Sequence, residues 1–499
     1  MLTALERAIW APAPVRDFAA RSPLDGLDRR SVGFGDVLAQ SVAAVAPSGA
    51  ATTVILFASG VAGAATVLAV MVAAFIALLV ATTVNQFTRR MVASGSLYTY
   101  AARGLGAAAG LTTGAALLVG YAGVAIFALL GGAHYLGMLA QRAWPALGGL
   151  PGSLVATALL LVEAAILTIV LVRGIRFSSR LAFVVELASV VIVAALMIVL
   201  LMKIGPFDLN ALMPSELSLP ALAAGAVIAL TAFVGFESAA TLGVEARSPL
   251  RNVPRAIVWT VIVAGGLYVL AGYTQVVGFR ALGLDLAASA SPVNTLATAN
   301  GLDAWGVFVD VGIAASFLAC AIASTTALTR VLFSMGRDGV APGWLGRVHA
   351  RHRTPTSAIA LAVPVIVLIP VVVVLVGVGV WAAMESIIVV FAVGYITAYV
   401  IVCLAAPRFL RTIGELTLGP SVIAIVAALA LVGGLITYLV VVGAAGNPGV
   451  WISAVIAVVA GAAIGWRLRR SARPLSRIGS YDEPTAAEVL GGVAHDGHV

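Results

Sequence analysis

Two apolar stretches of the sequence are each interrupted near the middle by residues that disfavour a helix. The first interruption reads Ala46-Pro47-Ser48-Gly49-Ala50, and the second reads Phe233-Val234-Gly235-Phe236-Glu237-Ser238. Proline lacks the N–H that a helical turn donates, and glycine adopts non-helical dihedral angles at low cost. Backbone groups released at membrane depth are tolerated only where they are buried in protein or line a cavity. Paired interruptions at corresponding positions therefore indicate a solute site.

The two interruptions offer groups of opposite polarity. A helix that restarts after a break presents free N–H donors and the positive end of its dipole, which suit a carboxylate. Unwound carbonyls suit an ammonium group or a sodium ion. The predicted donors are the N–H groups of Ser48, Gly49 and Ala50. The predicted acceptors are carbonyls near Ala232, Phe233 and Gly235. Together they fit an α-amino acid, whereas either motif alone is equally consistent with an ordinary kink.

Carboxyl groups inside apolar stretches are candidates for proton transfer. Glu237 lies beside the second interruption, where an ionised acid costs about 3 kcal/mol, so the group must be neutral, paired or in a wet cavity. It is the leading candidate for proton coupling, and the alternative is a protonated acid that only hydrogen-bonds freed backbone. Glu186 is the second candidate, although a structural pair with Arg180 is favoured. Glu163 is expected to be a satisfied structural acid or a peripheral contact.

Three consecutive hydroxyl residues, Ser324, Thr325 and Thr326, occupy the middle of a later apolar stretch. Ser324 and Thr325 are candidate sodium ligands, together with carbonyls of the first interruption. Hydroxyls in membrane helices usually bond the carbonyl one turn back or a neighbouring helix, and that interpretation is preferred. No other metal site and no cofactor are predicted.

The composition predicts a helical membrane protein. The chain has 499 residues, of which 61% are hydrophobic and 10% charged, against about 25% charged residues in soluble proteins. The apolar runs lack the alternation of barrel strands, so the predicted fold is all-α. Each run of 18 or more residues predicts a spanning helix. The twelve predicted helices, numbered helix 1 to helix 12, lie at about 35–60, 61–87, 107–139, 151–172, 181–203, 221–245, 255–279, 305–333, 355–377, 383–405, 418–442 and 449–467.

The positions of the interruptions predict an internal repeat. Helices 1–5 and 6–10 form two halves that each open with an interrupted helix. Because each half has an odd number of helices, the second copy is inverted and the interrupted helices can meet at the midplane. The predicted divisions are an N-terminal tail (1–34), two five-helix repeats (35–203 and 221–405), helices 11 and 12 (406–469) and a C-terminal tail (470–499) whose composition indicates disorder.

The net charge of +8 is distributed to orient the protein rather than to bind nucleic acid. Arginines of the tails and even-numbered connections fall on one side, and of the 29 Lys and Arg residues only Arg142, Lys203 and Arg280 fall on the other. Positive charge is retained inside, so both termini are predicted in the cytoplasm of a multi-pass plasma-membrane protein. The predicted partners are the lipid bilayer and a small amino acid or amine.

The sequence resembles a known family. Phe236-Glu237-Ser238 and the stretch from Glu245 to Ile257 closely resemble the helix 6 signature of the amino acid–polyamine–organocation permeases, bacterial type. Further matches are Pro47-Ser48-Gly49-Ala50, residues 95–100 and Arg330 through Pro342. The resemblance implies the inverted-repeat leucine-transporter fold with alternating access. It also implies that the substrate carboxylate binds at the helix 1 break and the amine at the helix 6 break.

Departures from the family pattern concern the substrate. Arginine/agmatine exchangers of this family carry a stacking Trp six residues before the helix 6 glutamate, and that position here is Thr231. A second stacking aromatic of those exchangers falls at Ser324. Cation–π recognition of a guanidinium needs those rings, so an arginine substrate is disfavoured. The predicted substrate-binding set is Ala46, Ser48, Gly49, Ala50, Tyr121, Thr231, Ala232, Phe233, Gly235, Phe236 and Ser324.

The sequence therefore predicts a secondary active permease for amino acids or related amines, working by proton-coupled symport or exchange. A sodium-coupled symporter and a polyamine or amine permease are the alternatives. An intramembrane enzyme is disfavoured because His134 is the one histidine within a predicted helix, and no metal or nucleophile–base spacing occurs. A sensor would need a sizeable soluble domain, and the tails are too short for one.

Overall fold

The computed structural model describes residues 22, 24, 26–173, 175–205, 208–214, 217–349, 353–469 and 478–482, and the side chains of 175–183 are not described. In this part of the chain the regular elements are helices, and one isolated β-bridge joins Val32 to Ala246. Eleven segments among these residues are long and apolar enough to cross a membrane.

The first segment supplies two crossings. It runs from Phe34 to Thr88 and contains 55 residues, which as one continuous helix would extend about 80 Å, far beyond the bilayer core of about 30 Å. Gly63 has a φ of +53° and begins a short 3₁₀ turn, Gly63–Ala65, that divides the segment. The predicted twelve-helix fold is confirmed.

The spanning helices are named α1 to α12. α1 consists of α1a (Phe34–Val45) and α1b, the consecutive segments Pro47–Gly49, Ala50–Val54 and Ile55–Ala62; α2 is Thr66–Thr88, α3 Ala107–Ala143, α4 Gly152–Arg173, α5 Ile175–Ile204, α6a Leu219–Thr231, α6b Phe236–Leu242, α7 Pro249–Leu282, α8 Asp303–Arg337, α9 Thr356–Leu375, α10 Val380–Thr412, α11 Leu418–Ala444 and α12 Pro448–Arg469. Short helices at Leu97–Leu105 and Pro292–Ala299 lie between them.

The core of the bundle is built around α3, which packs along both α8 and α10. Glycines permit this close approach, as small residues do between membrane helices. A Cβ built on Gly120 of α3 would lie 2.6 Å from the ring of Tyr395 on α10, and one on Gly123 would lie 2.7 Å from Cβ of Phe391. α10 is thereby held against α3 with its tyrosines directed inward.

α11 and α12 lie at the periphery of the bundle. The most apolar windows of these helices are 28% and 11% buried, against 72% for α3. Large apolar side chains such as Leu418 and Trp451 are exposed. A helix with so much exposed apolar surface needs a lipid environment, because a soluble protein rarely leaves such patches uncovered.

Part of the C-terminal tail is packed against the bundle, in contrast to the predicted disorder. Residues 478–482 contact the end of the bundle at which α1 begins, called the N-terminal face below. Composition gave no sign of this packing because the contacts are made by five residues within a polar tail.

Candidate functional site

The break in α1 is a single residue in the left-handed region. Ala46 has φ +46° and ψ +61° and ends α1a, and Pro47 begins α1b at a position where its missing N–H is harmless. Proline disfavours right-handed helix in the preceding residue, which places the break at residue 46. The next turn is a π-helix over Ala50–Val54, a form found mostly as single turns at functional sites.

The break in α6 is longer and depends on Gly235. Residues 232–235 form turns, Gly235 has a φ of +105°, and α6b continues as a 3₁₀ helix. The two breaks are in contact: the Ser41 hydroxyl donates to the Phe236 carbonyl at 2.5 Å, and the Tyr268 hydroxyl donates to the Ala232 carbonyl at 2.8 Å and the Val45 carbonyl at 3.4 Å.

Gly235→Ala is expected to destabilise the protein. The positive φ costs an L-residue about 1–3 kcal/mol, and the added Cβ would lie 2.8 Å from the carbonyl oxygen of Ala44. Thermal unfolding in detergent measures the effect. The matched control is Gly266→Ala in α7, where a Cβ has open space and a helical φ, so the control is expected to unfold at the wild-type temperature or slightly above it. Equal unfolding temperatures for both variants would contradict the expected strain.

The predicted donors at the α1 break differ in their availability. The N–H of Ala50 bonds the Ala46 carbonyl at 2.8 Å and is used within the helix. The N–H of Gly49 donates to the hydroxyl of Ser316 on α8 over 3.4 Å, and the N–H of Ser48 faces the carboxyl group of Glu186 on α5. Ser48 and Gly49 therefore retain donors directed at polar groups of the protein, while Ala50 does not.

Among the described residues, each predicted acceptor at the α6 break has one hydrogen-bond partner. The carbonyl of Ala232 accepts from Tyr268 at 2.8 Å, that of Phe233 accepts from the Phe236 N–H at 3.3 Å, and that of Gly235 accepts from the Ser238 N–H at 2.9 Å. Each carbonyl oxygen has two lone pairs, so each keeps capacity for one further donor.

Glu237 lies at the start of α6b with both carboxyl oxygens hydrogen-bonded to phenols. The Tyr121 hydroxyl of α3 donates to Oε1 at 2.9 Å, and the Tyr399 hydroxyl of α10 donates to Oε2 at 2.6 Å. The Phe236 ring stacks on Tyr399 with centroids 5.5 Å apart. Glu237 is fully buried, and within the described residues no salt bridge includes it. A buried acid of this kind, bonded to neutral donors from two other helices, fits a group that exchanges a proton.

Glu186 lies beside the α1 break. Its Oε1 accepts from Ser316 at 2.7 Å, and the same hydroxyl receives the Gly49 N–H. Oε2 has no hydrogen-bond partner among the described residues, although the residue is 1% exposed. The side chain of Arg180, the predicted structural partner, lies outside the described residues. Ser316 thus links a buried acid of α5 to the broken helix.

Glu163 does not have the satisfied hydrogen bonds that one of its two expected roles, a structural acid, requires. It is fully buried in α4, and neither carboxyl oxygen has a hydrogen-bond partner in the described part of the chain. Its carboxyl group packs on Gly132 of α3, where a Cβ would overlap Oε1. The carboxyl group has no hydrogen bond to either break among the described residues, and it provides a reference acid for the tests below.

The hydroxyls of the predicted sodium site bond largely within their own helices. Thr325 donates to the Ala321 carbonyl at 2.7 Å, and Ser324 lies 3.9 Å from the Cys320 sulfur. Thr231 likewise donates to the Ile228 carbonyl at 2.5 Å. Among the described residues no cluster of three His, Cys, Asp or Glu side chains could hold a metal ion. The geometry agrees with the preferred interpretation of back-bonded hydroxyls.

The site is closed toward both faces of the bundle. The predicted site residues named in Sequence analysis are buried, the most exposed being Thr231 at 6%. On one side the Phe317 ring fills the space between Gly49 and Gly131. Toward the N-terminal face, Arg330 of α8 forms a buried ion pair with Glu245, which follows α6b. A solute can reach the breaks only if these layers separate.

Three residues that contribute hydrogen bonds to the site were not predicted from the sequence: Ser316, Tyr268 and Tyr399. Each bonds a residue more than 30 positions away in the chain. Tyr395 and Tyr399 repeat at helical spacing in an apolar run. Their two phenolic hydroxyls are the one local sequence signal that α10 faces a polar site.

The fold defines the class of protein. The chain superimposes on MhsT, solved in complex with L-phenylalanine, with a TM-score of 0.55 over 82% of this chain and 99% of that chain, at 17% identity. This is the leucine-transporter fold of multi-pass membrane transporters. Residues 36–459 match the family described as amino acid permease. The chain belongs to this family, and it is an amino acid or amine transporter rather than an enzyme.

Relatives in the family share about a quarter of their residues with this chain. The branched-chain amino acid permease BcaP of Bacillus subtilis is 25% identical over 66% of this chain and 70% of its own length. The methylthioribose transporter of Bacillus subtilis is 26% identical over 66% and 71%. The low-affinity putrescine importer PlaP of Escherichia coli K12 is 24% identical over 55% and 60%.

Proposed function

We propose that the protein is a plasma-membrane permease that moves amino acids by alternating access, coupled to protons or working by exchange. The observation that carries the proposal is the contact between the two helix breaks. One break presents N–H donors and the other presents carbonyl acceptors. Both lie beside a buried acid, in a site that is closed toward both faces of the bundle. A site closed at both ends must open to one side at a time to load and release its solute. Both termini lie in the cytoplasm, as the distribution of arginine supports.

The substrate's backbone groups bind at the two breaks. Its carboxylate takes the N–H donors of Ser48 and Gly49 at the start of α1b, where the helix dipole adds favourable charge. Its ammonium group takes the remaining lone pairs at Ala232, Phe233 and Gly235. In the closed structure the Gly49 N–H donates to the Ser316 hydroxyl. Substrate binding replaces this hydrogen bond with a charge-assisted one from the same N–H to the substrate carboxylate.

The substrate side chain is apolar in this proposal. The rings of Phe236 and Phe317 lie beside the breaks, and Thr231 stands where arginine/agmatine exchangers carry a stacking ring. BcaP is named for branched-chain amino acids, which agrees with such surroundings. Amines remain the second candidate class, because PlaP is named for putrescine.

A binding screen followed by counterflow tests the proposed substrate. Purified protein is heated with branched-chain, aromatic, cationic and acidic amino acids and with putrescine, and ligands that raise the unfolding temperature are tested for exchange in proteoliposomes. Branched-chain or aromatic amino acids are expected to stabilise the protein and to exchange, since mass action stabilises a binding-competent fold. Stabilisation by putrescine alone would move the assignment to amines.

The driving ion is tested in the same vesicles. We expect uptake to respond to an imposed proton gradient, or to internal substrate, and to ignore a sodium gradient, because buried acids lie beside the breaks, whereas the Thr325 hydroxyl of the predicted sodium site donates within its own helix. Uptake that needs sodium would favour the sodium-coupled alternative.

A further inference from the structure

The C-terminal segment 478–482, named the tail clamp here, ends in a buried carboxylate that holds two arginines. Asp482 accepts from Arg29 at 3.0 Å and from Arg30 at 3.1 Å, and its Oδ1 accepts from the Ser22 hydroxyl at 2.6 Å. The Asp482 side chain is 1% exposed, whereas those of Arg29 and Arg30 are 20% and 37% exposed. A carboxylate this buried keeps its partners more firmly than a surface pair does, since it is less screened.

The arginines connect Asp482 to the broken helices. Arg30 also donates through its guanidinium to the carbonyls of Gly243 and Val244, at 3.2 Å each, just beyond α6b. The residues between Arg30 and α1a pair with the same segment, because the Val32 N–H donates to the Glu245 carbonyl at 3.0 Å. One end of the tail clamp is thus attached to the entry of α1a and the end of α6b.

The other end of the tail clamp is attached to α8 and to the short helix that leads into α3. The Gly479 N–H donates to Asp338, which follows α8, at 2.7 Å, and the Tyr98 hydroxyl donates to the same oxygen at 2.7 Å. Burial and the Asp338 carboxylate raise the pKa of Tyr98, so its hydroxyl remains a donor. Arg103 donates to the Gly479 carbonyl at 2.9 Å and lies over the Tyr481 ring at 4.6 Å.

A short segment therefore bridges two groups of helices across the N-terminal face. One group is α1a with α6b, and the other is α3 with α8. The same groups meet in the layer below, where the buried residues Ala43 and Ala44 of α1a pack on Ala319 and Ala323 of α8. Opening of the site toward this face requires the two groups to separate, and separation would break the contacts at one end of the bridge.

We propose that the tail clamp is an autoinhibitory device that holds the N-terminal face closed and detaches before the site opens there. The inference rests on the alternating access proposed above. Because the bond network centres on Asp482, Asp482→Asn removes the charge that holds Arg29 and Arg30 and shifts the protein toward the open form. Deletion of residues 478–499 has the same effect by removing the bridge entirely.

Labelling of a reporter cysteine tests the clamp separately from transport. The reporter is Ala43→Cys in full-length protein in which Cys320 and Cys403 are replaced by Ala, and the probe is a water-soluble maleimide. Asp482→Asn and the deletion are expected to speed labelling about 3- to 10-fold, the range for two lost charge-assisted contacts. Asp303→Asn, an exposed carboxylate at the start of α8 on the opposite face, is the charge-matched control and should label at the wild-type rate.

The possible outcomes distinguish the proposed tail clamp from the alternating-access mechanism on which it rests. A reporter whose labelling depends on substrate but is unchanged by Asp482→Asn and by the deletion would overturn the clamp and leave alternating access standing. A reporter that never labels, in vesicles that transport, would overturn both.

A reversible lock supplies the second test. The Asp482 N–H donates to the Val92 carbonyl at 2.7 Å. The two backbones are therefore close enough for cysteines at these positions to form a disulfide. In Val92→Cys/Asp482→Cys, oxidation is expected to slow substrate exchange below the wild-type rate, and a reducing agent should raise it above that rate. Exchange that ignores the redox state of a verified disulfide would overturn the proposal.

Discussion

Glu237→Gln is expected to abolish proton-driven accumulation while leaving the protein folded. Glutamine keeps the size of the side chain and can still meet the hydroxyls of Tyr121 and Tyr399, but it cannot bind and release a proton. A symporter that carries one proton accumulates substrate up to about tenfold per unit of pH gradient, since one pH unit corresponds to a tenfold equilibrium factor. That factor should fall to about one in the variant. Uptake in proteoliposomes under imposed pH gradients measures it.

Two further carboxyl groups make this test selective. Glu163→Gln changes another fully buried acid, one with no hydrogen bond to either break among the described residues, and it should leave the pH dependence at the wild-type value. Glu186→Gln changes the acid that Ser316 links to α1. If Glu186→Gln removes the pH dependence and Glu237→Gln does not, the coupling role passes to Glu186. Unchanged pH dependence in all three variants would reject proton coupling through these acids.

Tyr399→Phe changes a hydrogen-bond partner of Glu237 and so complements the first prediction. The variant removes the 2.6 Å hydrogen bond to Glu237 but keeps the ring that stacks on Phe236. We expect a shifted pH dependence with transport retained, because the acid loses one donor and keeps Tyr121. A variant that unfolds would instead indicate a structural role for the hydroxyl.

Arg330→Met is expected to lower the free energy of unfolding by about 3–5 kcal/mol, the usual effect of removing one partner from a buried ion pair. The Arg330 and Glu245 side chains are 5% and 1% exposed, so Glu245 would be left buried and uncompensated. The double variant Arg330→Met/Glu245→Gln should recover most of the loss, since no charge remains to be desolvated. Thermal or denaturant unfolding in detergent gives both values.

An exposed ion pair is the matched control for this cycle. Arg90 and Glu415 lie 2.7 Å apart, with side chains 26% and 56% exposed. Pairs of that exposure contribute at most about 1 kcal/mol, so Arg90→Met should change the unfolding temperature far less. A double variant at Arg330 and Glu245 that is no better than Arg330→Met would show that the arginine is needed for more than its charge.

The stability tests also bear on transport. Arg330 and Glu245 connect α8 to the segment after α6b, and the tail clamp joins the same two groups of helices closer to the surface. A conformational change that separates these groups must break both layers. Variants of either layer are therefore expected to raise the population of the form that is open toward the N-terminal face, the Arg330 variants at a larger cost in stability.

The sequence by itself determined the class of fold and the location of the breaks. Spanning helices follow from the length and composition of apolar runs, since a lipid environment leaves the backbone no alternative to internal hydrogen bonds. The breaks follow from local backbone preferences: Pro47 restricts the residue before it, and Gly235 adopts a φ of +105° that other residues resist. Glu237 stood out for the same local reason, as an acid within an apolar run.

Only the tertiary structure decided which groups at those breaks are available and what faces them. The Ala50 N–H was predicted as a donor, but it is bonded to Ala46 because the helix resumes at once after Pro47. For Glu186 the sequence predicted a structural pair with Arg180 or a role in proton coupling, and it gave no sign of the bond to Ser316, which joins residues 130 positions apart. The attachment of Asp482 to Arg29 spans 453 positions. Such contacts depend on how helices pack, and neither local propensity nor hydropathy carries that information.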